Sequence, residues 1–109
     1  MNKIRILIAD DHILIRDGIK ALLQQEPDFE VCGEASDGIE LLELLSEVVP
    51  DIIVLDLSMP GKNGIEIIKE VRITNPSVKC IILSMHEDPD YIVKSVQAGA
   101  KGYILKNAD

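Results

Sequence analysis

The sequence predicts an α/β fold in which parallel strands form one doubly wound sheet with helices on both faces. Short apolar runs rich in β-branched residues alternate with longer segments of helical periodicity, a pattern typical of strand–helix–strand units. The strand segments lack polar alternation, as in Ile52-Ile53-Val54-Leu55, and this favours a sheet that is covered on both sides. The pattern predicts five strands and four helices over the 109 residues.

The first strand and the first helix come directly after the N-terminus. The apolar run over 4–9 ends in Asp10-Asp11-His12, and Pro27 follows the helical segment that runs over about 13–25. We expect the apolar residues of this helix to face the sheet and its polar residues to face solvent. The inward set is Ile13, Ile15, Ile19, Leu22 and Leu23, and the outward set is Arg16, Asp17, Lys20 and Gln24.

The second and third strands differ in character. The run over 29–35 is interrupted by Glu30 and Glu34, so we expect it at the edge of the sheet. Ser36-Asp37-Gly38 opens a helix that extends to about residue 47. The third strand is uninterrupted and runs directly into Asp56, which a turn follows at once.

The last part of the chain continues the alternation. A helix over 65–74 ends before Pro76, and a strand over 78–83 leads to Ser84. Pro89 suits the first turn of the next helix, with Asp88 as its N-cap, and Gly99 suits its end. The fifth strand, over 102–105, runs into Lys106. Because the helices alternate between faces, we expect a further helix after this residue to complete one layer.

Composition narrows the function classes. Apolar residues make up 47% of the chain and aromatic residues 3%, so Ile, Leu and Val must form the core. A net charge of −8 argues against a general nucleic-acid or anionic-membrane surface. No apolar run approaches the ~20 residues of a membrane span, and the N-terminus has no signal-peptide pattern, which predicts a cytoplasmic protein. We expect Cys32 and Cys80 to be buried, reduced thiols.

Polar residues end the strands that we expect at the centre of the sheet. In a parallel sheet these ends meet at one crevice, where ligands bind. Two carboxylates about 4 Å apart repel by about 4 kcal/mol at an effective dielectric of 20. Either protonation of one acid or binding of a divalent cation such as Mg²⁺ would relieve this repulsion. A carboxylate, a metal, a hydroxyl group and a lysine together suit phosphoryl transfer. The alternative is that these residues only form the solvated end of the sheet, with one structural Lys–Asp pair. The set is Asp10, Asp11, Asp56, Ser84 and Lys106.

These residues resemble the receiver domain of two-component response regulators, and the resemblance spans essentially the whole chain. Four segments in this order carry it. They are Ile6-Leu7-Ile8-Ala9-Asp10-Asp11, residues 51–61 with Asn63-Gly64, Ile81-Ile82-Leu83-Ser84, and residues 99–106. The segment Leu83-Ser84-Met85-His86 is most similar to the LuxR/NarL-type subfamily.

The resemblance implies a role for each site residue. Asp56 would be the phosphoacceptor, and Ser84 and Lys106 would bind the phosphoryl group. Magnesium would be bound by Asp11, Asp56 and the backbone carbonyl of Ser58, with Asp10 acting through water. Tyr103 would be an aromatic switch residue that turns inward when Ser84 moves. In this family the side chain after Ser84 is usually small, whereas Met85 occupies that position here.

The resemblance also implies a fold and partners. The fold would be flavodoxin-like, with strand order 2-1-3-4-5. We expect residues 1–109 to form one receiver domain that stops before its last helix. This domain would be a phosphoacceptor signalling module and not an enzyme in the ordinary sense. Its partners would be a sensor histidine kinase and, through an absent C-terminal output domain, DNA; a homodimer is possible, and no membrane is involved.

Three other functions compete with this interpretation. Magnesium-dependent phosphatases with an aspartyl nucleophile typically have a second acid two residues later, where this chain has Ser58. A pseudo-receiver would bind partners without phosphorylation, which the complete set of site residues argues against. A flavodoxin-like cofactor binder needs a phosphate-binding loop after the first strand, where Asp10 and Asp11 would repel phosphate unless a metal intervened.

Overall fold

Five strands and four helices alternate along the parts of the chain that the computed structural model describes, residues 3–57, 64–84 and 89–105. The strands are β1 (Ile4–Ala9), β2 (Phe29–Ala35), β3 (Ile52–Asp56), β4 (Lys79–Ser84) and β5 (Gly102–Leu105). The helices are α1 (Ile13–Gln24), α2 (Gly38–Leu44), α3 (Gly64–Thr74) and α4 (Pro89–Ala98). The strands form one parallel sheet in the order β2-β1-β3-β4-β5. This confirms the predicted fold and the edge position of β2.

The ends of α2 and α4 follow from local hydrogen bonds. The Asp37 carboxylate accepts the backbone N–H of Glu40 at 2.7 Å, and the Glu40 carboxylate accepts the backbone N–H of Ser36 at 3.0 Å, an exchange similar to a capping box. At the other end, α2 stops at Leu44 and not near residue 47, because tight turns replace its last predicted turn. Gly99 ends α4 with φ +125°, a conformation that favours glycine.

One face of the sheet carries the main hydrophobic core. Side chains from β1, β3 and β4 pack there against α2, α3 and α4, and Leu7, Ile53, Leu55 and Ile82 are fully buried. Cys80 lies in this core, where burial raises the pKa of its thiol to about 11. Cys32 is half-buried, and partial burial raises the pKa of its thiol too. Both cysteines are free thiols.

The other face holds α1, and here the predicted orientation is partly wrong. Ile13 and Leu22 are 63% and 67% exposed, whereas Arg16 turns toward the sheet and its side chain is only 17% exposed. Its guanidinium group donates to Glu34 of β2 at 3.2 Å and to the carbonyl of Asp10 at 2.9 Å. Glu34 also pairs with Lys20 at 3.0 Å. These charged partners draw Arg16 and Lys20 toward the sheet, while Asp17 and Gln24 stay exposed as predicted.

Coverage of this second face is incomplete over the residues that the structure describes. α1 contacts β1 and β2, while Ile104 of β5 is 51% exposed. Tyr103 packs against the core, and because strand side chains alternate, Ile104 lies on the face of α1. The arrangement is consistent with the further helix expected after Lys106. None of the helices described here is long and apolar enough to cross a bilayer.

Candidate functional site

Two acids lie side by side at the carboxyl ends of β1 and of β3, the central strand. Ala9 of β1 pairs in parallel with Leu55 of β3, so Asp10 and Asp56 follow at equivalent positions. Both side chains are completely buried. The predicted convergence of strand-end carboxylates is therefore present in the structure.

Hydrogen bonds from three elements fix the backbone and side chain of Asp10. Its N–H donates to the carbonyl of Ala35 at the end of β2, at 3.0 Å. Its carbonyl accepts from the Arg16 side chain, and its Oδ1 accepts from the backbone N–H of His12 at 2.8 Å. The acid is consequently held by β2, by α1 and by the loop that joins β1 to α1.

Asp11 and His12 complete a cluster around this pair. One ligand atom from each of Asp10, Asp11, His12 and Asp56 can be chosen so that all four lie within 4.8 Å of one another. The Asp11 side chain is 32% exposed and that of His12 is 52% exposed. The cluster thus has a buried inner pair of carboxylates and an outer pair of side chains that solvent can reach.

The donor set fits a divalent cation. Three carboxylates in so small a volume repel one another unless positive charge lies between them, and hard oxygen ligands with room for water suit Mg²⁺. The acidic cluster therefore has the composition to hold a metal. These residues fit the Mg²⁺ ion that was predicted from the sequence.

The two predicted switch residues lie on β4 and β5. Leu83 pairs with Asp56 across the β3–β4 ladder, and Ser84, the next residue, ends β4 with a completely buried side chain. Tyr103 pairs with Ile82 and is half-buried against the core. The sheet therefore brings Ser84 to the same edge as the acids, while Tyr103 lies further back on the neighbouring strand.

Two predicted site residues, Ser58 and Lys106, lie outside the described residues. The structure places His12 in the cluster, although no role was predicted for this residue from the sequence. Its ring nitrogen Nδ1 lies 3.1 Å from both Asp10 Oδ1 and Asp11 Oδ1 and 3.7 Å from Asp56 Oδ2. The available signal was the histidine that directly follows two acids at the end of a strand.

A family model matches most of the chain. It is the model of the response regulator receiver domain, and it aligns with residues 6–109. Among curated relatives, the transcriptional regulatory protein DegU of Brevibacillus brevis is 43% identical over 108 residues, which are 99% of this chain and 46% of that protein. The oxygen regulatory protein NreC of Staphylococcus epidermidis is 41% identical over 105 residues, or 95% of this chain and 48% of NreC. The chain spans about half the length of the curated relatives it matches.

Solved structures give the same match at the level of the fold. The receiver domain of the putative response regulator NarL from Mycobacterium tuberculosis superposes with a TM-score of 0.93 at 34% identity, covering 100% of this chain and 88% of that one. The isolated receiver domain of RcsB from Salmonella enterica, solved with the phosphomimetic BeF3-, also gives 0.93, at 32% identity and with 99% and 80% coverage. Both are similar to this chain over its full extent.

Proposed function

This chain belongs to the response regulator receiver domain family, and from that premise we propose that it is a phosphorylation-dependent switch with Asp56 as phosphoacceptor. One observation carries the proposal: a completely buried acid at the end of a central strand, next to Asp10 and in one cluster with Asp11. The phosphodonor would be a sensor histidine kinase.

The proposed reaction is transfer of a phosphoryl group between side chains. A carboxylate oxygen of Asp56 attacks phosphorus; the bond from phosphorus to the donor's histidine nitrogen breaks, a bond from phosphorus to oxygen forms, and the leaving imidazole takes up a proton. Asp11, Asp56 and the carbonyl of Ser58 would hold Mg²⁺, with Asp10 acting through water. The ion would neutralise phosphoryl oxygens as they approach the acids. Attack by water on the same phosphorus later returns the carboxylate and releases phosphate.

The readout would be a local rearrangement. Phosphorylation changes the charge at Asp56 from −1 to roughly −1.5 to −2 and adds acceptor oxygens. Ser84 and Lys106 would donate to these oxygens. A shift of Ser84 would free space at the end of β4, and the ring of Tyr103, which is already half-buried against the core, would turn into it. The surface of α4 and β5 would change as a result.

The effect of the switch on transcription is proposed from the similarity of this chain to its curated relatives. DegU is a transcriptional regulatory protein, and the matched region is about half of its length. We propose that residues 1–109 form a receiver unit without its last helix, that the full protein acts in the cytoplasm, and that it binds DNA through a further domain. Homodimerisation is part of this proposal.

Labelling with a small-molecule phosphodonor tests the function. In the presence of Mg²⁺, intact-mass measurement should detect one added phosphoryl group on the wild type and none on Asp56→Asn. Asp17→Asn is the matched control, because it makes the same change on the exposed surface of α1, and it should be labelled as the wild type is. Equal labelling of wild type and Asp56→Asn would refute the assignment, and no labelling of the wild type would favour a pseudo-receiver.

A further inference from the structure

The backbone of His12 is fixed in a position that places its ring at the outer side of the carboxylate cluster. His12 is the N-cap of α1, with φ −91° and ψ 106°, and its carbonyl accepts the N–H of Arg16 at 2.9 Å, within the first turn of α1. Its N–H donates to Asp10 Oδ1 at 2.8 Å. Because both the N–H and the carbonyl of His12 are hydrogen-bonded, its backbone is fixed, and its short side chain keeps the ring close to the acids.

The position of Nδ1 requires a proton or a metal ion between the ring and the acids. A nitrogen lone pair that faces two carboxylate oxygens at 3.1 Å is repelled by them unless a proton or a metal ion lies between. A ring N–H would satisfy this requirement by donating to Asp10. A divalent cation would satisfy it by binding Nδ1 together with the Asp11 and Asp56 carboxylates, with Asp10 acting through water.

The distances from Nδ1 to the carboxylates fall in the range found between two ligands of one metal ion. With metal–ligand distances of about 2.1 Å, neighbouring ligands are about 3.0 Å apart in an octahedron and about 3.4 Å apart in a tetrahedron. Octahedral ligands on opposite sides of the metal are about 4.2 Å apart at the same bond length. The distances from Nδ1 to one oxygen of each of the three carboxylates are 3.1, 3.1 and 3.7 Å, which lie between the neighbouring and the opposite separations.

We propose that His12 is a metal ligand of this site and sets its selectivity, so that Mn²⁺ and Co²⁺ bind with higher affinity than Mg²⁺. An imidazole nitrogen suits transition metals, whereas Mg²⁺ prefers oxygen and retains water. His12 is half-exposed, so Mg²⁺ can keep water at that position at little cost. The inference rests on the proposed function, since it concerns the same metal site.

Metal binding to the wild type, His12→Ala and Asp11→Ala tests this role. Mn²⁺ binding is measured from the loss of the free-ion electron paramagnetic resonance signal, and Mg²⁺ binding by calorimetry. His12→Ala should weaken Mn²⁺ binding severalfold and change Mg²⁺ binding by less than about twofold, because Mn²⁺ accepts an imidazole nitrogen as a ligand more readily than Mg²⁺ does. Asp11→Ala should weaken the binding of both ions.

Pulsed paramagnetic resonance gives a second readout that does not depend on the stability of a variant. Mn²⁺ bound to the wild type should couple to a ¹⁴N nucleus, and this coupling should be absent in His12→Ala. A wild-type spectrum without the coupling overturns the proposal.

Other outcomes separate this inference from the proposed function. If His12→Ala tightens the binding of both ions, the ring is a competing N–H donor and the inference is wrong. If His12→Ala changes neither affinity while Asp11→Ala weakens Mg²⁺ binding, the inference fails and the metal site of the proposed function stands. If Asp11→Ala also leaves both affinities unchanged, both are wrong.

Discussion

Replacing Asp56 by asparagine should stabilise the fold when divalent cations are absent. The chosen ligand atoms of Asp56, Asp10 and Asp11 lie within 4.8 Å of one another, and two unit charges 4.8 Å apart repel by about 3.5 kcal/mol at an effective dielectric of 20. Removing the charge of Asp56 removes two such pairs, which at this largest separation amounts to about 7 kcal/mol of repulsion. Lost hydrogen bonds to the carboxylate and lost attraction to the His12 ring oppose this gain.

We expect a net rise of about 1–3 kcal/mol in the free energy of unfolding, or about 5–15 °C in Tm for a domain of this size. The assay is urea denaturation in the presence of a chelator, with Asp17→Asn as control because residue 17 is exposed on α1. The control should leave the free energy of unfolding close to that of the wild type.

Saturating Mg²⁺ should reduce or reverse the difference between Asp56→Asn and the wild type, because the ion stabilises the wild-type cluster by binding the native state. An Asp56→Asn variant no more stable than the wild type in chelator would refute the electrostatic reasoning. Equal stabilisation of both proteins by Mg²⁺ would refute the placement of Asp56 among the ligands.

Three further outcomes follow from the same structure. Asp11→Ala should weaken Mg²⁺ binding at least about tenfold and Ser84→Ala less than about twofold, since only the first removes a proposed ligand; equal losses in calorimetric titration would contradict this. Gly99→Ala should lower the free energy of unfolding by about 1–2 kcal/mol in urea denaturation, because φ is +125° and the added Cβ would lie 3.1 Å from Arg72 Cδ; wild-type stability would count against it. Burial raises the pKa of Cys80 from 9.0 to about 11. The neutral buried thiol therefore contributes fully to stability below pH 9, and this contribution is lost as the pH rises toward 11. Over this pH range the free energy of unfolding should fall less steeply in Cys80→Ala than in the wild type, and identical slopes would refute the reasoning.

The strands could be predicted from the sequence because their determinants are local. β1, β2 and β5 have the predicted bounds, since charged residues lie close to both ends of each of these short segments. β4 begins at Lys79 and not at residue 78, because Val78 donates its N–H to the carbonyl of Asn75 at 3.0 Å and closes a turn. That hydrogen bond depends on backbone geometry, which hydrophobicity does not encode.

The orientation of α1 could not be predicted from periodicity alone. Arg16 turns inward because Glu34 and the carbonyl of Asp10 offer it partners, and those partners come from other elements of the fold. The same limit applies to His12. Its proximity to Asp56, more than forty positions away, arises only when β1 pairs with β3. The cluster of acids was predictable because strand ends meet in any parallel sheet.

Site mapping of the phosphoryl group tests the central claim most directly. The protein is treated with a small-molecule phosphodonor and Mg²⁺, the acyl phosphate is reduced with borohydride, and the resulting homoserine is located by peptide mass spectrometry. The account predicts homoserine at Asp56 and at no other acid. Homoserine at Asp10 or Asp11, or none in the peptide that contains Asp56 despite a labelled intact protein, would contradict it.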